Sequence, residues 1–437
     1  MSKNLDEMSA NTQKLLCCRS LELFCALRRN TMRYCALGLL VFVSGYLATC
    51  TLRGDSSTAT NSLREGEVVV LRPVPAILNE GTHPAVNATE TQIKEKAGVP
   101  FQFRRAQFIN ETHGWAMTLY SLYRTIDGGK TWERLAQEPD EDAHFIAFSF
   151  VDESQGWLAI MKADSTAPYG VGHSSVIMNT DDGGKSWKVK ESFQDDIAIR
   201  DIQFLNQKEG LVVGYKGLDN RPDRCELFVQ ETSNAGKDWS DMSRAANAAL
   251  RTQWGVANDR GNHIYWTSSS VLILTEGGRV ISTTDRGKTW NTIVTFKDER
   301  PTGFISSTGF HKLVPDPEGK IRIVAGAAGD EGYWGDFVIP EQGGWMSYEI
   351  SLTPINDALF LSDKEVIASG LNVRRMDEKS KLKDAGVILR SFDGGKSWQS
   401  IYRSKTFETF FFVTKVKDNL FYAVSDTGTF LRFTLPQ

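Results

Sequence analysis

The stretch Thr125-Ile-Asp127-Gly-Gly129-Lys-Thr131-Trp132 decides the fold, because it recurs along the chain at a nearly constant spacing. Three close copies, one looser copy and one remnant follow the same pattern: 180–187, 283–290 and 391–398, then 232–239, then 342–345. Their tryptophans, Trp132, Trp187, Trp239, Trp290, Trp345 and Trp398, are separated by 55, 52, 51, 55 and 53 residues. Chance does not maintain such a period over six copies, so the chain is an array of similar structural units.

Each position of this motif, here called the box, has a physical role in a tight turn. The Asp or Asn side chain accepts hydrogen bonds from backbone N–H groups and from the Ser/Thr hydroxyl. The Gly adopts positive φ without steric cost, and the Trp is expected to insert between neighbouring sheets, where a ring of its size buries ~150–250 Å². We therefore interpret these box residues as structural: Asp127, Trp132, Asp182, Trp187, Asn234, Trp239, Asp285, Trp290, Trp345, Asp393 and Trp398.

The alternative is a catalytic or Ca²⁺-binding role for Asp127, Asp182, Asp285 and Asp393. A feature that occurs once in every unit usually builds the unit, which favours the structural interpretation.

A second recurrence lies upstream of the boxes. The segment Ala106-Gln-Phe108-Ile-Asn110-Glu-Thr-His-Gly114-Trp115 matches segments at 148–158 and 202–212. Alternating apolar and polar residues on both sides of a polar turn predict a β-hairpin. Together with two strands that flank the box, each repeat forms a four-stranded antiparallel sheet with strands a, b, c and d, and the box lies in the c–d turn. A period near 53 residues fits the blades of a β-propeller.

We therefore predict an all-β, seven-bladed β-propeller over residues 65–437. Six blades fall at about 101–136, 144–192, 199–241, 262–296, 306–352 and 355–403, and three strands of a seventh at 409–413, 420–424 and 429–433. The fourth strand of that blade is expected from 67–72 (Glu-Val-Val-Val-Leu-Arg), because an open ring leaves an unpaired sheet edge. A six-bladed ring is the alternative.

The composition agrees with a folded chain and excludes other classes. The 437 residues are 41% hydrophobic, which excludes a wholly disordered chain. With 50 basic and 54 acidic residues the net charge is -4, and no basic excess is left to bind nucleic acid. Only Cys225 follows residue 50, so the propeller contains no internal disulfide. No His/Cys cluster, phosphate-binding loop or nucleophile motif occurs, and we predict no cofactor and no metal site.

The N-terminal segment predicts membrane attachment. Residues 34–52 carry no charge, follow a basic flank and are long enough to span a bilayer. They form either an uncleaved signal anchor or a lipoprotein signal, with Cys50 as the lipidation candidate, and a buried helix is a third possibility. Residues 1–33 are then a cytosolic tail, or precede a true start at Met32, and 53–64 are a flexible linker. The propeller is expected to be extracytoplasmic, in the periplasm or at the cell surface.

The run Arg200-Asp201-Ile202-Gln203-Phe204, together with the boxes, resembles the photosystem II stability/assembly factor-like family of BNR (Asp-box) propellers. The resemblance covers about residues 65–437. It implies seven blades, no enzymatic activity, and binding of partner proteins while a membrane complex assembles. It also implies an extracytoplasmic location, which is the thylakoid lumen if the organism is photosynthetic. We expect a monomeric, membrane-tethered scaffold whose partner is a membrane protein or protein complex.

Two enzyme families share the boxes and supply the alternative functions, a glycosidase or a carbohydrate-binding propeller. Sialidases begin with Phe/Tyr-Arg-Ile-Pro and grip a carboxylate with three arginines, but Phe103-Arg104-Arg105-Ala106 lacks the Ile-Pro. Arg105 and Arg200, near inner strands, are interpreted as rim or inter-blade ion-pair residues. A xyloglucanase-like glycoside hydrolase needs two facing carboxylates, usually between two propellers, and this chain has room for one.

The propeller topology predicts a binding surface on the face away from the boxes. The b–c and d–a connections emerge there, and loops held by a rigid scaffold commonly carry function. Long b–c loops are predicted at 163–173, 216–226, 326–335 and 372–386, and a short helix ending near Trp254 in the connection 240–262. Arg and aromatic residues of these segments are predicted to bind the partner: Arg221, Arg224, Trp254, Tyr333, Trp334, Arg374 and Arg375. The alternatives are a solvated charged loop at 374–375 and a Trp334 that covers its own blade.

Overall fold

The structure is a computed structural model. It describes residues 67–71, 74–79, 86–93, 102–137, 142–163, 172–194, 196–218, 221–250, 260–298, 309–329, 332–341, 344–373 and 385–435. Two compact units divide the chain after residue 60, and every described residue lies in the second. The predicted segments 1–33, 34–52 and 53–64, with Cys50, therefore lie outside the described residues. No helix in the described part of the chain is long and apolar enough to cross a membrane.

Seven sheets, the blades, each contain four antiparallel strands, which confirms the seven-bladed prediction. The chain begins with β1 (Glu67–Leu71), β2 (Val74–Pro75), β3 (Ile77–Asn79) and β4 (Asn87–Gln92). Blades 1 to 3 then follow in order: β5 (Phe103–Phe108), β6 (Gly114–Thr118), β7 (Ser121–Thr125) and β8 (Glu133–Gln137); β9 (Ala143–Phe150), β10 (Gly156–Ala163), β11 (His173–Thr180) and β12 (Lys188–Phe193); β13 (Ile197–Phe204), β14 (Gly210–Leu218), β15 (Arg221–Thr232) and β16 (Ser240–Asp241).

A short helix, α1 (Ser243–Leu250), leads to the remaining blades. Blades 4 to 7 contain, in order: β17 (Gly261–Trp266), β18 (Val271–Thr275), β19 (Arg279–Thr283) and β20 (Asn291–Asp298); β21 (Gly309–Pro315), β22 (Ile321–Gly329), β23 (Gly332–Glu341) and β24 (Gly344–Ser351); β25 (Ile355–Phe360), β26 (Val366–Asn372), β27 (Ala385–Ser391) and β28 (Ser397–Arg403); β29 (Phe410–Lys417), β30 (Leu420–Ser425) and β31 (Thr429–Thr434), completed by β4.

The box residues close the c–d turns with a repeated set of hydrogen bonds. In blade 1 the Asp127 carboxylate accepts from the Thr125 hydroxyl at 2.9 Å and from the Thr131 N–H at 2.9 Å and hydroxyl at 2.6 Å. The Gly129 N–H donates to the Thr125 hydroxyl at 2.8 Å. The boxes of blades 2, 4 and 6 repeat this pattern. Each box Asp is thus engaged inside its own turn, which supports a structural role.

The looser box of blade 3 reverses one hydrogen bond and keeps the turn. Asn234 replaces the Asp, and its Nδ2 donates to the Asp238 carboxylate at 2.7 Å, where the other boxes have a Ser or Thr that donates. The Asp238 N–H still donates to Asn234 Oδ1 at 2.9 Å. The pair Asn–Asp therefore replaces the pair Asp–Ser/Thr, because each pair contains one donor and one acceptor.

Glycine is required in the box for two reasons. Gly129 has φ +82, and a Cβ on it would lie 2.1 Å from the Phe430 ring of blade 7.

Box tryptophans pack against the preceding blade, as Trp398 does on Phe337 and Trp345 on Phe296, with ring centroids 5.4 Å and 5.2 Å apart. The core is therefore divided among the seven interfaces between adjacent blades.

The first strands of the chain close the ring differently from the sequence prediction. The strand at 67–72 was expected to complete blade 7, but β4 fills that place, antiparallel to β31 from Thr429↔Gln92 to Thr434↔Asn87. Instead β1 pairs in parallel with the outer strand of blade 4, β2 with that of blade 5 and β3 with that of blade 6. The prediction was wrong because any extended strand can satisfy an open sheet edge, and edge pairing leaves no distinctive sequence signal.

These three strands, β1 to β3, form a strap around the outer edges of blades 4 to 6. A protein that begins at residue 81 keeps β4 and should remain a closed ring, but it exposes three sheet edges and should self-associate, as measured by light scattering. A protein that begins at residue 96 also loses β4 and should melt at a much lower temperature. Equal melting temperatures for the two truncations would show that β4 does not close the ring.

The lowered pKa of the box carboxylates predicts that the folded protein loses stability in acid. The hydroxyl and N–H of Thr289 and the hydroxyl of Thr283 lower the pKa of Asp285 to about 2. Because an unfolded Asp has a pKa of about 4, the folded state binds fewer protons between these values. The contribution of Asp285 is complete above the unfolded pKa and is lost as the pH falls towards the folded pKa. The urea concentration at the midpoint of unfolding should decrease as the pH is lowered from about 5 to about 3. It should decrease less steeply in Asp285→Asn. Identical slopes would contradict this account.

Candidate functional site

The inner strands of all seven blades line a cavity on the propeller axis. Its volume is about 460 Å³, and residues from β5, β9, β13, β17, β21, β25 and β29 form its wall. Every pairing of strand a with strand b contains a β-bulge. The extra residues are Arg104, Ile146, Arg200, Asn262, His311, Asn356 and Phe411. Bulges re-aim side chains at barrel and sheet rims, and three of these extra residues, Arg104, Asn356 and Phe411, line the cavity.

The residue after each bulge forms a ring around the axis, and the ring holds an ion pair across blade 2. Arg105 of blade 1 donates through Nη1 to Asp201 Oδ1 of blade 3 at 2.5 Å. Blade 2 has the small Ala147 at this position, which leaves room for the arginine to pass. The second Asp201 oxygen accepts from the Ile264 N–H of blade 4 at 2.9 Å. Burial raises the pKa of Asp201, but Arg105 and the Ile264 N–H outweigh it and hold this pKa below its usual value.

A second ion pair ties the opposite side of the ring. Lys312 Nζ of blade 5 donates to Asp357 Oδ1 of blade 6 at 2.6 Å, and Asp357 Oδ2 accepts from the Val413 N–H of blade 7 at 3.2 Å. The two networks therefore connect blades 1, 3 and 4 and blades 5, 6 and 7.

His263 of blade 4 lies between these networks. Its Nδ1 is buried without a hydrogen bond among the described residues. Burial, assisted by the charges of Lys312 and Arg105 and opposed by Asp201, lowers the pKa of His263 to about 4. The imidazole is therefore neutral at physiological pH and adds no charge to the cavity.

On the face away from the boxes, two arginines pack over Tyr215. The guanidinium carbons of Arg200 and Arg260 lie 5.4 Å and 4.6 Å from the Tyr215 ring centroid. Glu276 lies 3.7 Å from Arg200 and 3.8 Å from Arg260, too far for a hydrogen bond. The Arg200 Nε is buried without a hydrogen bond among the described residues, whereas the Arg260 side chain forms a hydrogen bond with Cys225. Arg104 occupies in blade 1 the bulge position that Arg200 occupies in blade 3. The arginine rim is defined by Arg104, Arg200, Arg260, Tyr215 and Glu276.

The guanidinium groups on this face can bind an anionic group. Arg104 lines the cavity, is exposed, and forms no hydrogen bond or ion pair among the described residues. Planar guanidinium groups with free donors recognise carboxylates. Asp201 and Asp357 already accept from a cation and from the neighbouring blade, so neither is available as an acid or base. The described residues contain no group of three His, Cys, Asp or Glu that could hold a metal ion.

The structure corrects two of the predicted loops. The segment 216–226 is mostly strand, since β14 and β15 extend to Leu218 and Arg221. The segment 326–335 is also strand, and Trp334 pairs with both Ala327 and Ser351. Arg221, Arg224, Tyr333 and Trp334 therefore lie on extended hairpins rather than in loops. Gly and charged residues suggested a loop there, but continued cross-strand pairing keeps these segments extended.

The remaining predicted site residues have different positions. The predicted helix is confirmed as α1, which ends at Leu250, and Trp254 lies outside the described residues, as do Arg374 and Arg375. The described b–c connections end at the same face as the rim, because the boxes occupy the c–d turns.

The axial residues Asp201, His263, Lys312 and Asp357 were not predicted from the sequence. The signal was an ionisable residue in an inner strand, three positions before that strand ends, as in Asp201-Ile-Gln-Phe204 and Asp357-Ala-Leu-Phe360. The interpretation of Arg105 as an inter-blade ion-pair residue agrees with its bond to Asp201.

Comparisons with known proteins agree with this fold. No protein-family model matches the chain. The photosystem II stability/assembly factor HCF136 of Arabidopsis thaliana is 21% identical over 322 residues, which cover 72% of this chain and 71% of that protein. Its counterpart in Oryza sativa subsp. japonica is 20% identical over 353 residues, covering 74% and 76%. These relatives confirm the resemblance stated from the sequence.

Several solved structures are similar in fold to this propeller. A structure of YCF48 bound to a D1 peptide has a TM-score of 0.51 at 18% identity and covers 83% of this chain and 100% of that chain. YCF48 from Cyanidioschyzon merolae has a TM-score of 0.50 at 17% identity, covering 79% and 98%. The GH74 xyloglucanase from Xanthomonas campestris has a TM-score of 0.51 at 15% identity, covering 79% of this chain and 53% of that chain.

The ion pair on the axis can be tested by a double-mutant cycle. Arg105→Gln leaves the Asp201 carboxylate, with 6% of its side chain exposed, without its cation, and should destabilise the fold by about 3 kcal/mol in urea unfolding. Adding Asp201→Asn removes the buried charge and should recover part of the loss. Additive effects of the two substitutions would show that the two side chains are not coupled.

Proposed function

We propose that this protein is a non-catalytic scaffold that holds a polypeptide segment of a membrane protein complex while the complex assembles or is stabilised. The observation that carries the proposal is the guanidinium group of Arg104, which lines the axial cavity, is exposed, and forms no hydrogen bond or ion pair among the described residues. On the same face, Arg200 adds a buried Nε that has no hydrogen-bond partner there. A carboxylate of an extended polypeptide, from an Asp, a Glu or a chain terminus, has the geometry and charge that such donors bind.

The comparisons support this class of partner. The curated relatives are named for stability and assembly of photosystem II, and one structurally similar propeller was solved with a bound peptide. Carried over to this chain, these names suggest that the ligand is a segment of a membrane protein subunit. The glycosidase alternative is disfavoured, because the two axial carboxylates are held by a cation and by backbone N–H groups.

Residues on the same face extend the proposed contact. Our candidates for the outer part of the partner surface remain the predicted residues. Four of them lie on the long hairpins, Arg221, Arg224, Tyr333 and Trp334, and the others, Trp254, Arg374 and Arg375, lie in other connections of the chain. Phe407, in the connection from blade 6 to blade 7, is 68% exposed on this face and adds an apolar contact that the sequence analysis did not identify.

Membrane attachment is part of the proposal. Residues 34–52 would anchor the protein as a signal anchor, or Cys50 would carry lipid, and residues 53–64 would tether an extracytoplasmic propeller near its partner. A tether raises the effective concentration of the propeller at the membrane surface, so a weak carboxylate contact suffices.

The proposal predicts an assembly defect in a deletion strain. Blue-native gel electrophoresis of membranes should show loss of one multi-subunit complex while its unassembled subunits persist. The wild-type protein should restore the complex, and Arg104→Gln/Arg200→Gln should not, at an unchanged melting temperature. Arg134→Gln/Arg432→Gln, on exposed strand positions away from the cavity, is the matched control and should restore it. Full rescue by the rim variant, or an intact complex in the deletion strain, would refute the proposal.

A further inference from the structure

A second cavity lies on the opposite face, at the box end of blades 3 and 4. Its volume is about 800 Å³. Its wall includes the a–b turn of blade 4, residues 267–270, which is one residue shorter than the turns of blades 1 to 3 at 109–113, 151–155 and 205–209. In those blades the a–b turn accepts a backbone hydrogen bond from the box, such as Gly128 N–H to Thr112 O at 2.9 Å. Blade 4 has no counterpart among the described residues, and the space between its turn and its box is open.

The box of blade 4 also departs from the repeat at this point. Arg286 occupies the position of Gly128, Gly183 and Gly394, with φ +59, a conformation that opposes a side chain. Its Nη2 donates to Glu209 Oε1 of blade 3 at 2.8 Å. The other Glu209 oxygen accepts from Asn206 Nδ2 at 2.7 Å. The Glu209 carboxylate is therefore satisfied within the wall of the cavity.

Glu231 in the same wall is not satisfied. It lies on β15, is partly buried, and forms no hydrogen bond or ion pair among the described residues. Burial and the Glu209 charge raise the pKa of Glu231, and Arg286 opposes this effect. A partly desolvated carboxylate without a bonded cation is unfavourable and is stabilised by an incoming one. Trp266 lines the cavity from blade 4 and offers an aromatic ring.

We propose that this cavity binds a ligand with one organic cation, an ammonium or guanidinium group, that pairs with Glu231 and packs against Trp266. The lining contains two carboxylates, Glu209 and Glu231, and one cation, Arg286, so its net charge of -1 matches a monocation. An anion is repelled by the two carboxylates. A neutral polyol leaves the Glu231 charge without a counterion. The cation is either a Lys or Arg side chain of a polypeptide or a free monoamine. This inference concerns the face opposite the arginine rim and does not depend on the proposed function.

Isothermal titration calorimetry of the purified full-length protein tests the site. The probes are the monocation n-butylamine and the blocked tripeptides acetyl-Gly-Lys-Gly-amide and acetyl-Gly-Arg-Gly-amide. We expect one site, and Glu231→Gln should weaken binding at least about tenfold, since a charge-assisted hydrogen bond is lost. Arg286→Gly restores the repeat residue and removes the competing cation, so it should strengthen binding. Glu133→Gln, at an exposed position on β8 of blade 1, is the matched control and should bind like the wild type.

The outcomes separate the sources and can overturn the site. Binding of a tripeptide at least as tight as that of n-butylamine assigns the cation to a polypeptide, and binding of n-butylamine alone assigns it to a free amine. Binding within twofold of wild type in Glu231→Gln would overturn the proposal, as would binding of the neutral disaccharide maltose with no binding of any cation. Melting temperatures establish that each variant is folded, and Arg286→Gly supplies the test should Glu231→Gln fail to fold.

Discussion

Closure of the ring is the constraint on which the rest of this structure depends. Blade 7 has only three strands from the end of the chain, and β4, from the beginning of the propeller, supplies the fourth along six paired residues. The axial ion pairs join blades 1, 3 and 4 and blades 5, 6 and 7 across a space that exists only when the ring is closed. Hydrophobic packing between adjacent blades provides most of the stability, but it does not select the number of blades without this final strand.

The sequence determined the fold more completely than the site. Six boxes at a period near 53 residues predicted four strands per blade and the c–d position of each box, and the hydrogen bonds of Asp127, Asp182, Asp285 and Asp393 follow from the motif. The closing strand was misassigned because edge strands compete for open edges with little sequence preference. The Arg105–Asp201 pair joins residues that are 96 positions apart, so no local pattern could identify it. The hairpins at 216–226 and 326–335 were mistaken for loops because their Gly and charged residues resemble turn sequences.

The two faces of the propeller have different chemistry, and this difference follows from departures from the repeat. On the face away from the boxes, Arg104 and Arg200 are the extra residues of two bulges, and Arg104 lines the axial cavity. On the box face, the four-residue turn of blade 4 and Arg286, at a glycine position of the repeat, line an acidic cavity together with Glu231. The repeated residues build a rigid ring, and the residues that break the repeat supply the two surfaces where charged ligands can bind.

We propose that the partner lies against the face away from the boxes. Photo-crosslinking in intact membranes tests this placement directly. Phe407 is 68% exposed on that face, and Ile126, in the first box, is 60% exposed on the opposite face. A benzophenone side chain at position 407 should crosslink to a subunit of a membrane protein complex, and one at position 126 should not. Crosslinks to such a subunit from position 126 alone would contradict the account.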